Sequence, residues 1–95
     1  MPGASRKAAF AIRGPITRAD LPGLCDRVCA ILAGHRGVVG CDVAGVPADA
    51  VTVDALARLQ RGARSHDCHV VLCNASAELV ELIELMGLSN VLAEL

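Results

Sequence analysis

The stretch Val38-Val39-Gly40-Cys41-Asp42-Val43-Ala44-Gly45-Val46-Pro47-Ala48-Asp49-Ala50-Val51-Thr52-Val53-Asp54-Ala55-Leu56 (residues 38–56) decides the fold class. Its first part, Val38 to Val43, is too short and too β-branched for a helix and reads as a buried strand. With apolar residues at both parities it is expected to be central, parallel and covered on both faces. Its last part opens a helix at Asp49 or Thr52, either of which can cap exposed backbone N–H groups, and the helix is expected to run to about Ser65. Leu56, Leu59 and Ala63 share one side of it. Asp54, Arg58, Arg61 and Arg64 share the other, with Asp54 and Arg58 at the i,i+4 spacing of a weak ion pair.

The same alternation continues outward in both directions. Toward the N-terminus, Phe10 and Ile12 in Ala8–Ile12 predict a strand, followed by the turn residues Gly14-Pro15. From roughly 19 to 33, Leu21, Leu24, Cys25, Val28, Cys29, Ile31 and Leu32 fall on one arc at 100° per residue, the mark of an amphipathic helix ended by Gly34 and Gly37. Toward the C-terminus, His69 to Cys73 is a second buried-strand candidate. Asn74 or Ser76 then caps a third helix whose core stripe is Leu79, Val80, Leu82, Ile83 and Met86, with Gly87-Leu88 as its stop. Glu78, Glu81 and Glu84 lie on the opposite face, with Leu85 among them. Val91 and Leu92 are expected to add a last short strand, and residues 1–6 to be the least ordered. Strand alternating with helix through short connections implies one α/β domain over 1–95, a parallel or mixed sheet of about four or five strands with three or so helices over it.

Composition narrows the function classes. The chain has 95 residues, of which 54% are hydrophobic, so it holds one core and is no disordered segment. A net charge of −1, one Phe and no Trp or Tyr remove both the basic footprint and the stacking surfaces of nucleic-acid binders. No apolar run reaches the roughly 20 residues that cross a bilayer, and no secretory signal pattern is legible, so no membrane insertion and a cytoplasmic address are expected. Five cysteines in such a chain read as small buried hydrophobes rather than disulfides. Cys25 and Cys29 stand one helical turn apart on or beside the buried arc. His66, Cys68, His69 and Cys73 lack zinc-ligand spacing. Asp42 and Asp49 have no accompanying nucleophile and read as loop-ordering or capping residues. The sequence therefore predicts no enzyme, metal or cofactor. Eight Arg against one Lys fits a GC-rich bacterial genome.

Three pieces carry a family resemblance spanning about residues 8–93. Gly14-Pro15-Ile16-Thr17 resembles an opening G-x-L-T turn, Cys41 through Val46 an x-D-L-S-G-V strand end, and Asp49 through Leu56 a D-S-S-G-L-x-x-L helix start. In that order they resemble the STAS domain of sulphate transporters and anti-sigma factor antagonists. The closing Asn74-Ala75-Ser76, Gly87-Leu88 and Val91-Leu92 are similar too. The resemblance implies a protein-interaction module whose partner is an anti-sigma factor, a kinase-like protein or another regulator, contacted through Pro47, Asp49, Ala50, Val51, Thr52, Asp54 and Arg58. In phosphorylated members a serine follows the motif's Asp. Here that position is Ala50 or, aligned without a gap from Val46, Val51, so no phosphate ester forms there. Thr52 is the only hydroxyl of the loop, a weak candidate for modification and more simply a cap. The runner-up is a structural or regulatory STAS subunit of a transporter, or a self-associating scaffold, so a homodimer is possible; a small-ligand sensor or enzyme using buried cysteines is a third class. The basic row of the second helix and the acidic row of the third are the surface features best suited to charged complementarity.

Overall fold

In a computed structural model, the described residues 9–94 form four strands and three helices in strict alternation: β1 (Phe10–Arg13), α1 (Leu21–Leu32), β2 (Gly37–Gly45), α2 (Ala50–Arg64), β3 (Cys68–Cys73), α3 (Ala77–Leu85) and β4 (Ala93–Glu94). The sheet order is β1-β2-β3-β4 and every pairing is parallel. This is the expected α/β class, with a purely parallel sheet among the described strands. The expectation for residues 1–6 lies outside the described residues, as does Ala8 at the start of the first predicted strand.

A monotonic strand order has a geometric consequence. Each crossover moves one strand over in the same direction, and with the usual right-handed connection all three helices land on one face of the sheet. Burial along β2 follows this alternation. Val39, Cys41 and Val43 are buried, whereas Val38 is 62% exposed and Ala44 is exposed. The expectation of a strand covered on both faces is thereby corrected: Val38 is apolar but points to the side that carries no helix. On the covered side the helices supply Leu21, Leu24, Val28 and Leu32 from α1, Val53, Leu56 and Leu59 from α2, and Leu79 and Ile83 from α3.

Local chemistry sets the element ends. Asp20 reaches back to the Thr17 N–H at 3.0 Å and hydroxyl at 2.9 Å, ordering the short 3-10 turn Arg18–Asp20 before α1. These two bonds hold the Asp20 carboxyl below the usual carboxylate range. Ser76, rather than Asn74, caps α3 by accepting from the Leu79 N–H at 3.1 Å. At the other end of α3, Gly87 has φ of +73°, and the Gly87 and Leu88 N–H groups donate to the Glu84 and Ile83 carbonyls. That is a Schellman stop, and only glycine takes its backbone conformation without strain.

Two sequence expectations shift here. Met86 lies beyond the helix and is 40% exposed instead of in the core stripe. Val91 and Leu92 form a turn, and the last strand begins one residue later at Ala93. Leu92 is nevertheless buried, 5% exposed, so its apolar character serves the core from a turn.

Candidate functional site

The surface singled out by the sequence is built where β1 and β2 end and α2 begins. The Gly14 N–H donates to the Gly45 carbonyl at 3.0 Å, which ties the two strand exits together. A Cβ on Gly14 would collide with the Pro47 ring, so the bend after β1 and the loop after β2 touch only because residue 14 is glycine. Asp42 orders the strand exit by accepting the Ala44 N–H at 2.9 Å. Asp49 is the N-cap of α2: its backbone is extended and its Oδ1 accepts the Thr52 N–H at 2.8 Å.

These bonds decide which side chains meet solvent. Ala48, Asp49 and Ala50 are exposed, and Pro47 and Val51 are half-buried, Val51 packing against the core. Thr52 points the other way and is 0% exposed. Its Oγ1 has no hydrogen-bond partner. A buried hydroxyl left unpaired costs on the order of 1–3 kcal/mol. Thr52 therefore stands apart from the other six residues expected here, which are exposed or half-buried.

One turn along α2, Asp54 holds two guanidinium groups, Arg58 at 3.1 Å and Arg18 at 3.7 Å. Arg18 precedes α1, so this carboxylate links the start of one helix to the face of the next. Both pairs are substantially exposed and worth only tenths of a kcal/mol. Between the two helices lies a cleft of about 250 Å³ lined by Arg18, Leu21, Pro22, Cys25 and Arg58. The sequence pointed to Asp54–Arg58 through its spacing. It carried no sign of Arg18, whose approach to Asp54 depends on how α1 packs on α2.

The cysteines are all free thiols. Cys25 and Cys29 are half-buried at the α1–α2 contact, and burial followed by the neighbouring Cys29 raises the pKa of Cys25. Cys41 lies inside the sheet, its pKa pushed up to about 12 by burial and then by Cys73. The Cys68 thiol points at the His35 carbonyl at 3.2 Å and the His66 carbonyl at 3.4 Å, closing the end of α1 against the start of β3. Among the described residues no cluster of three His, Cys, Asp or Glu side chains is placed to hold a metal ion, and no helix is long and apolar enough to cross a membrane.

Compared with known families, residues 3–94 match the family model described as "Mlab, STAS domain", which takes in nearly the whole chain. A comparison with curated proteins gives no match.

Proposed function

The chain belongs to the STAS domain family, and from that premise we propose that it is a non-enzymatic protein-interaction module of the bacterial cytoplasm that docks a regulatory partner on Pro47, Asp49, Ala50, Val51, Asp54 and Arg58. STAS domains are in general interaction modules. The observation that carries the reading is the division of the α2 entrance: the side chains reaching solvent, Ala48, Asp49 and Ala50, bear no hydroxyl, and the one hydroxyl present, on Thr52, is sealed beneath them. A phosphoryl group has no exposed acceptor at this turn, so the surface stays binding-competent without a phosphoswitch. The Asp49 cap fixes the start of α2 before a partner arrives, which lowers the entropy lost on docking. A cytoplasmic address agrees with five free thiols.

The test is co-purification of the tagged protein from its native host, with Ala50→Arg as the decisive variant. Ala50 is exposed and the substitution leaves the Asp49 cap in place, so folding is retained while a long charged side chain is planted in the contact. Loss of a partner that the wild type retains supports the site, and an anti-sigma factor, a kinase-like protein or a transporter subunit is what the recovered partner distinguishes. Undiminished capture by Ala50→Arg removes the site assignment.

A further inference from the structure

A second surface lies farther along the helix layer. On α2, Arg58, Arg61 and Arg64 are exposed; on α3, Glu78, Glu81 and Glu84 are exposed. The two rows have the same i, i+3, i+6 spacing, and therefore the same pitch, and each lies away from its helix's buried side. Each row is unfavourable by itself, because like charges three residues apart repel. Glu84 also sits in the last turn of α3, at the negative end of the helix dipole, where a carboxylate weakens the helix. Among the described residues only Arg58 of the two rows has an ion-pair partner, Asp54 on its own helix, and no ion pair joins the rows.

We propose that the outer face of the helix layer is self-complementary and docks a second copy of this chain, with the α2 row of each copy facing the α3 row of the other. The topology supplies the symmetry. Helices α2 and α3 each connect parallel strands, so they run in the same direction and pack side by side. A twofold axis lying between them and along them carries the basic row of one copy onto the acidic row of the other, and the reverse contact follows by symmetry. Repulsion within each row is then offset by attraction across the interface, made twice. Leu85, 83% exposed at the end of the acidic row, and Met86, 40% exposed, add apolar area that docking removes from water. The surface shares only Arg58 with the partner reading above, and the charge reversals below leave Arg58 in place, so the failure of one reading is distinguishable from the failure of the other.

The experiment is sedimentation velocity on the full chain at about 100 µM and low salt, with charge reversals of exposed residues only. Arg58 is left intact because Asp54 engages it. The wild type is expected to be a dimer that dissociates as salt is raised, since exposed charges are screened. Arg61→Glu with Arg64→Glu, and separately Glu81→Arg with Glu84→Arg, are each expected to weaken dimerisation at least tenfold. Mixed one to one, the two variants are expected to form heterodimers, because every facing row is again of opposite sign. Circular dichroism on each variant confirms the fold, and recovery on mixing excludes misfolding as the cause of the loss. A wild type that stays monomeric at low salt, a dimer indifferent to either reversal, or variants that fail to associate on mixing overturns the proposal.

Discussion

Thr52 and Gln60 are polar side chains with 0% exposure on the same helix, and they meet opposite fates. Gln60 makes all its bonds, whereas Thr52 Oγ1 makes none. Thr52 falls inside the arc that Leu56, Leu59 and Ala63 trace at 100° per residue and Gln60 about 40° beyond Leu56, but the sequence marked Thr52 as a contact residue and gave no sign of Gln60's partners, which come from Val70 and Val91 farther along the chain. Cys41 offers a pH test at this scale. The folded interior favours its protonated thiol, so its contribution to stability is whole below the ordinary thiol value of 9.0 and is withdrawn as pH climbs from there toward about 12. Loss of stability across that window is expected in urea titrations, and Cys41→Ala, though less stable throughout, is expected to show a shallower alkaline loss. An unchanged slope in that variant refutes the assignment. The absence of Tyr from the chain keeps the alkaline range free of phenol titration.

At the scale of elements, Gln60 shows how a helix can stand in for a strand. Its Oε1 accepts the Val70 N–H at 2.8 Å, and its Nε2 donates to the Val70 carbonyl at 2.8 Å and the Val91 carbonyl at 2.9 Å. The pairing of β3 with β4 begins only at Val71. The amide thus supplies at Val70 the donor and acceptor that a longer β4 would have supplied, and fastens the turn leading into that short strand. Gln60→Leu keeps the volume but orphans the two buried backbone groups of Val70 and the part-buried carbonyl of Val91. It is expected to cost about 2–4 kcal/mol in urea unfolding and to speed exchange of the Val70 amide beyond the global effect. A cost under about 0.5 kcal/mol rejects this role. The helix spans themselves were legible within a residue or two, because Asp49, Ser76 and Gly87 carry their capping chemistry locally.

The whole molecule is one-sided: a parallel sheet with its helices on one face and apolar residues such as Val38 on the other. The contrast between neighbours in β2 tests this. Val39, 3% exposed under the helices, is expected to cost about 1–3 kcal/mol when replaced by Thr, since a hydroxyl would be buried without a partner. Val38→Thr, at 62% exposure, is expected to lie within about 0.5 kcal/mol of the wild type. Equal costs in denaturant unfolding would show that something covers both faces.

What the sequence determined by itself was local and periodic: the order of strands and helices, the caps at their ends, the apolar arcs, and the absence of serine from Asp49 to Arg58. Those features depend on residues a few positions apart, where propensity and periodicity act directly. Only the tertiary structure decided that the crossovers stack every helix on one face, that Thr52 turns inward, that Arg18 reaches Asp54, and that the arginine and glutamate rows lie on neighbouring helices with no ion pair between them. Each of these depends on the packing of distant segments, and periodicity says which side of an element is buried but not what covers it.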